Sequence, residues 1–180
     1  FLAMWVVTSQ KHGASALGVQ RVLGLGSYET AWAWLHKLRR AMVRPGRDRL
    51  TGAVEVDEVY LGGPEAGGRG RETEAKAIVA VAAEKRDRAT GRIRLRHVTD
   101  VSAKSLFPFV SETIAPGSVV HTDGWSGYAG LVEGGYRHQV TNIKRSGRPA
   151  HELMPRVHKV ASLLKRWLLG IHHGGVQPQH

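Results

Sequence analysis

Val54-Glu55-Val56-Asp57-Glu58-Val59-Tyr60 is the stretch on which the fold turns. It is a short apolar run interrupted by acids, with the β-branched enrichment of a strand rather than the 3.6-residue period of a helix. Two further runs, Lys76-Ala-Ile-Val-Ala-Val-Ala-Ala83 and Arg92-Ile-Arg-Leu-Arg-His-Val98, read as strands too, the last alternating strictly. Three successive strands predict an antiparallel meander. Its joints are the Gly- and charge-rich run Gly62–Gly70 and the polar turn Asp87-Arg-Ala-Thr-Gly91. Neither is a phosphate-binding loop, because no Gly-Lys-Ser/Thr follows.

Downstream, Ser102 caps a predicted helix to Ile114, Pro116-Gly117 turns the chain, and Ser118-Val-Val-His-Thr-Asp123 reads as a strand that delivers Asp123 at its C-terminal end. A short helix from Trp125 and a strand over Tyr136–Thr141 follow. Asn142–Ala150 is basic and Gly/Pro-containing, hence predicted as a mobile loop. Pro155 opens a final helix with the apolar stripe Val157, Val160, Ala161, Leu164 and Leu168, and His158 and Lys165 lie two turns apart on one flank of it. Upstream, Ser15 caps a helix to Leu23, Gly24-Leu-Gly26 breaks it, and Ser27 caps a longer one from Tyr28 to Met42, ended by Pro45-Gly46. In the longer helix Ala31, Trp34, Leu35, Leu38 and Met42 form the predicted apolar side, with His36, Arg39 and Arg40 opposite and Trp32 on the flank. Such a pair suggests a helix-turn-helix presenting Lys37, Arg39 and Arg40 to phosphates.

The 180 residues include 26 Lys+Arg, 15 Asp+Glu and no Cys, for a net charge of +11. Without Cys, a disulfide framework, a thiolate zinc site and a thiol nucleophile are excluded within this chain. No run approaches the ~18 to 20 apolar residues of a membrane span, so a soluble, cytoplasmic protein is expected. The charge is unevenly placed: residues 1–53 and 144–180 each carry +6, and 54–143 carry −1. Two basic flanks around an acid-containing middle fit a polyanion partner and a carboxylate site. The chain begins at Phe1 and stops at His180, and it reads as a fragment.

The carboxylates of that middle are the first candidates for chemistry. Asp57 sits within a strand, where Asp is disfavoured unless it faces solvent, and Asp123 comes 66 residues later, where it could equally cap the next helix. Carboxylates on adjacent strands suit Mg²⁺ and similar hard cations. His158, 35 residues further on, would be structural or exposed if taken alone. Together the three could hold two metal ions roughly 3.5–4 Å apart, activating the attacking oxygen and stabilising the leaving oxygen of a phosphodiester, with Lys165 on a phosphate. Trp125 reads as packing beside its strand rather than as a base-stacking platform.

The strand order and these acids resemble the RNase H-like catalytic domain of DDE transposases and integrases. Four segments resemble the ISXO-type transposases of bacterial insertion sequences: Tyr28-Glu-Thr-Ala-Trp-Ala-Trp-Leu-His-Lys-Leu-Arg39, Leu50-Thr-Gly-Ala-Val-Glu-Val-Asp-Glu58, Thr122-Asp-Gly-Trp-Ser-Gly-Tyr128 and Val157-His-Lys-Val-Ala-Ser-Leu-Leu-Lys-Arg-Trp-Leu-Leu-Gly170. The resemblance implies an α/β fold, an RNase H-like mixed sheet flanked by helices over 50–175, preceded by a helix-turn-helix DNA-binding segment over 1–48. It implies Asp57 and Asp123 as catalytic metal ligands, His158 as the third in a DDH version with Lys165 as the basic partner, and Mg²⁺ or Mn²⁺ as two ions. Neutral imidazole is a poorer ligand for Mg²⁺ than for Mn²⁺ or Zn²⁺. DNA, as element ends and target, is the implied partner, contacted through Lys37, Arg39, Arg40, Lys165 and Arg166, with a homo-oligomer on the DNA and a location at the bacterial nucleoid. The family's zinc ribbon and its basic, aromatic C-terminal segment have no counterpart here, so a chain truncated at both ends is expected. The expected activity is metal-dependent cleavage of the element end and transfer of its 3′-OH to target DNA. The alternatives are an RNase H-like nuclease or resolvase that does not join strands, or an inactive DNA-binding remnant.

Overall fold

The computed structural model describes residues 1–44, 46–62 and 76–172. The chain divides into two compact units, Phe1–Arg47 with the last helix from Leu163 onward, and Asp48–Ser162. In the second, β1 (Ala53–Leu61), β2 (Ala77–Arg86) and β3 (Ala89–Val98) form the expected antiparallel meander. After α4 (Ala103–Thr113), β4 (Val119–Thr122) pairs in parallel with β1, and β5 (Arg137–Val140) in parallel with β4. The order β3-β2-β1-β4-β5 is a mixed sheet flanked by helices, the α/β class predicted, and it is consistent with an RNase H-like arrangement. The parallel pairing of β1 with β4 needs a crossover, and α4 lies in that connection.

Side chains alternate across a strand, and β1 uses the alternation to serve two layers. Val54 and Val56 point into the main core with Ala80, Ala82 and Val120, under Leu106, Phe109 and Val110 of α4 and Tyr128 and Leu131 of the 3₁₀ helix Ser126–Leu131. Glu55 and Asp57 point the other way, toward the first turns of α7 (Pro155–His172).

Three arginines of β3 look like a stripe for nucleic acid but are moored within the unit. Arg92 binds Glu84 and the Arg49 carbonyl, Arg94 donates to the carbonyls of Asp48 and Ile93, and Arg96 pairs with Glu112 at 2.6 Å. Glu84 stands at a β-bulge and is buried. Its carboxylate accepts from Arg92 Nη2 at 2.8 Å, from Arg92 Nε at 3.2 Å and from the Thr51 amide at 3.1 Å. A Cβ at Gly91 would stand 2.9 Å from Glu84 Oε2, so that position has to be small.

The helical unit holds α1 (Leu2–Ser9), α2 (Ala16–Leu23) and α3 (Tyr28–Met42). Both predicted caps form: Ser15 Oγ accepts from the Gly18 amide and Ser27 Oγ from the Thr30 amide. The predicted face of α3 is corrected. Ala31 and Leu35 are buried with Leu38 alongside, whereas Trp34 and Met42 are 44% and 50% exposed. Arg39, expected opposite, donates to the Ala14 carbonyl at 3.0 Å and lies over the Trp167 ring.

Three local features differ from the sequence reading. α1 is an extra helix; it is apolar nearly all round, so no periodic contrast marks it. The predicted loop Asn142–Ala150 contains one helical turn, α5 (Ile143–Ser146), because Asn142 Oδ1 caps the Arg145 amide, and α6 (Ala150–Leu153) follows. Ser102 makes no cap bond of its own; Asp100 accepts its amide, and donors on Ser102 and Ser105 bring Asp100 down to about 2. The expected helix stop at Pro45 and the Gly62–Gly70 loop from residue 63 lie outside the described residues.

The bonds from Arg92 bring Glu84 down to about 2. A depressed carboxylate stabilises the fold above its unfolded pKa and loses that contribution as pH falls from about 4.5 toward 2. Glu84→Gln is therefore expected to cost about 3 kcal/mol at pH 7. Urea unfolding should show the gap from the parent closing as pH falls toward 2, and a gap unchanged with pH would contradict the assignment.

Candidate active site

The β1–β4 ladder pairs Ala53 with Val119, Val54 with Val120 and Glu55 with His121, a constant offset of 66 residues. The same 66-residue offset separates Asp57 from Asp123, which directly follows the last residue of β4. Asp57 Oδ1 accepts from the Glu58 amide at 2.9 Å, and its Oδ2 faces His158 Nε2 of α7 at 3.8 Å. The two side chains are 17% and 30% exposed, so both remain open to solvent.

Asp123 is held in a turn immediately after β4. Its Oδ1 accepts from the Trp125 amide at 2.9 Å, while the Gly124 amide donates to Thr122 Oγ1, which meets His138 Nε2 at 2.8 Å. This is an Asx turn rather than the helix cap that the sequence also allowed: the 3₁₀ helix Ser126–Leu131 has Trp125 as its N-cap residue and no side-chain cap bond. Gly124 has φ +82°, and a Cβ there would stand 2.5 Å from Val140 Cγ1. Trp125 packs against the main core and donates from Nε1 to the Val101 carbonyl at 2.7 Å, as the packing alternative predicts.

Behind the two aspartates lies the buried Tyr128. Burial first, then the carboxylate of Glu58, then those of Asp57 and Asp123, hold its phenol well above the ordinary value. The three acids therefore share one negative neighbourhood around a buried ring. On the same face of β1 as Asp57, Glu55 is completely buried and accepts from the first-turn amides of α7. Beside it His121 is buried, with Nε2 2.6 Å from Thr141 Oγ1. Burial, aided by the charges of Lys85 and His138 and opposed by Glu55, holds its imidazole below the ordinary value.

The structure thus brings Asp57 and His158 together and sets Asp123 in the turn that follows the neighbouring strand β4. Among the described residues no group of three or more His, Asp or Glu side chains is gathered to hold a metal ion. Magnesium ions are commonly held by one or two carboxylates with water and substrate phosphate completing the shell. Two partly exposed aspartates, one on β1 and one in the turn after β4, fit that donor set. Lys165 and Arg166 are exposed on the part of α7 that belongs to the helical unit, as are Lys37 and Arg40 on α3. Arg39 is partly buried, and burial lowers its pKa. Glu55, Glu58 and Tyr128 were assigned no role from sequence. Three acids within four residues of one strand are the signal available there, since not all can face water.

Residues 49–180 match a family model described as the ISXO2-like transposase domain. No curated protein matches the chain.

The Gly124 turn leaves no room for a side chain. Gly124→Ala is expected to destabilise the chain by about 1–3 kcal/mol through backbone strain and the Val140 contact. Adding Val140→Ala should recover the steric part, read as a coupling energy in a double-mutant cycle by urea unfolding. Equal losses with and without the second change would remove Val140 from the account.

Proposed function

Because the chain belongs to the ISXO2-like transposase domain family, we propose that it cleaves the DNA ends of its insertion sequence and transfers the freed 3′-OH to target DNA, with Asp57 and Asp123 holding divalent metal. The supporting observation is the approach of His158 to Asp57 at 3.8 Å on a strand whose parallel neighbour leads into Asp123. In this reading the catalytic domain is 50–175 and the segment 1–48 contacts element-end DNA. The working form is a homo-oligomer on DNA, at the nucleoid in the cytoplasm; no helix among the described residues is long and apolar enough to cross a membrane.

Each residue then has a stated task. Asp57 and Asp123 supply oxygen ligands from two strands that the sheet holds in register. His158 is the third ligand, and its nitrogen favours Mn²⁺ over Mg²⁺. Bound metal, two ions in all, would supply charge stabilisation to the attacking and leaving oxygens of the phosphodiester. The buried Tyr128 and Glu58 form a floor beneath the acids. Lys165 and Arg166 contact phosphates near the reacting strand, and Lys37 and Arg40 contact those of the element end. Arg39, the remaining basic candidate of α3, is tied to the Ala14 carbonyl and contributes to helix packing.

On duplexes carrying the element's ends, Asp57→Asn and Asp123→Asn are each expected to reduce cleavage by at least about 100-fold. Cleavage unaffected by both would sink the site assignment. Cleavage by the parent without joining to target DNA would make the protein a nuclease, and no cleavage by the parent would leave the remnant reading. The parent should work faster with Mn²⁺ than with Mg²⁺, and His158→Glu should narrow that preference.

DNA affinity should fall steeply with salt. Lys37→Ala and Arg40→Ala should each flatten the plot of log affinity against log salt by roughly 0.9, the value for one phosphate contact. Arg39→Ala should leave that slope unchanged while lowering thermal stability. A slope change for Arg39 equal to those of its neighbours would overturn the distinction.

A further inference from the structure

α7 opens on Met154-Pro155-Arg156-Val157, and none of these side chains carries an oxygen that could cap it. The first amides of a helix have no partner within it. Here the partner comes from the sheet: Glu55 Oε2 accepts from the Arg156 amide at 2.7 Å and the Val157 amide at 3.1 Å, and Oε1 accepts from Arg156 Nη1 at 3.2 Å. Arg156 also donates to the carbonyls of Asp87 and Ala89, in and just after the β2–β3 turn. A carboxylate at a helix N-terminus is further favoured by the helix dipole.

We propose that Glu55 is a positioning residue of the active site, whose carboxylate, by holding the first turn of α7 against β1, sets the separation of His158 from Asp57. This rests on the metal-dependent reading of the site given above. The geometry is a ladder of two rungs. The lower joins Glu55 to the amides of Arg156 and Val157. The upper joins Asp57, two residues further along the same face of β1, to His158, the next residue of α7. The β1 rail is pinned at this point, since Glu55 is paired with Ala83 of β2 on one side and His121 of β4 on the other. The length of the Glu55 side chain therefore fixes where His158 stands. A misplacement of about 1 Å at a reacting centre can cost on the order of 10²-fold in rate.

Length and charge are separable by substitution. Glu55→Gln keeps the length and an oxygen for the two amides but loses the charge, while Glu55→Asp keeps the charge and draws the acceptor back by one methylene. The three chains are compared, at full length, by Mn²⁺ titration calorimetry, by the NMR signals of the His158 ring without metal, and by cleavage of end duplexes, with melting curves as the measure of folding. Glu55→Gln should keep Mn²⁺ affinity and cleavage within about five-fold of the parent and leave the His158 signals in place. Glu55→Asp should lose at least about ten-fold in both and shift those signals, following the positional effect. Glu55→Asp outperforming Glu55→Gln would mean that charge, not position, matters, and would overturn the proposal. So would losses that track only the unfolded fraction. Asp57→Asn is the control: if it too binds Mn²⁺ and cleaves normally, the reading of the site fails. If it loses both while Glu55→Asp matches the parent, only the positioning role fails.

Discussion

A carboxylate with no exposure to water, set in the middle of a strand, is the costliest group in this molecule to leave without partners. Glu55 meets that cost with two backbone amides and a guanidinium, all supplied by the start of α7. The dependence is mutual, because α7 begins on Pro155 and has no local oxygen to cap it. Neither partner is satisfied until strand and helix have come together, so the buried acid specifies which helix covers this face of the sheet and at what height. The apolar core on the other face, with Phe109 and Leu106 over Val54 and Val56, carries no comparable positional demand. Apolar contacts tolerate sliding more readily than bidentate hydrogen bonds do.

The sheet supplies the remaining alignment. β1 and β4 are parallel neighbours, although 66 residues separate their paired positions, and the intervening meander and α4 return the chain to the same edge. Asp57 lies two residues beyond the last paired position of β1 in that ladder, and Asp123 directly follows β4. Strand β1 is thereby shared between two tasks, Val54 and Val56 toward one layer and Glu55 and Asp57 toward the other, with Glu58 sending a charge to the apolar side beside Tyr128. One strand that builds the core and carries the site couples damage in either to the other.

Much of this was legible in the sequence because it is local. The meander, the strand before Asp123, the caps Ser15 and Ser27 and the helix from Pro155 all carry periodicity or capping residues that act within a few positions. What was hidden depends on distant partners. An acid in a strand looks alike whether it faces water or caps a helix 101 residues away, so Glu55 was silent while Asp57 was noticed. α1 was missed because a helix apolar nearly all round has no contrasting face, and α5 because one capped turn is too short to show a period. Arg39 and the β3 arginines counted equally with every other cation until their acceptors were seen. The chemistry proposed for the aspartates, unlike their positions, rests on the family whose model residues 49–180 match.

The moorings of β3 bear on how such a chain can drift. Arg92, Arg94 and Arg96 reach main-chain carbonyls and carboxylates through a planar fork of donors. Lysine offers a single ammonium on a flexible stem and cannot reproduce a two-pronged contact. Exchanging the three for lysine would leave the isoelectric point of the protein almost where it stands and detach the edge strand from the segments at Asp48–Arg49 and Glu112. A polycation defined only by its net charge would be indifferent to that exchange, and these moorings would not.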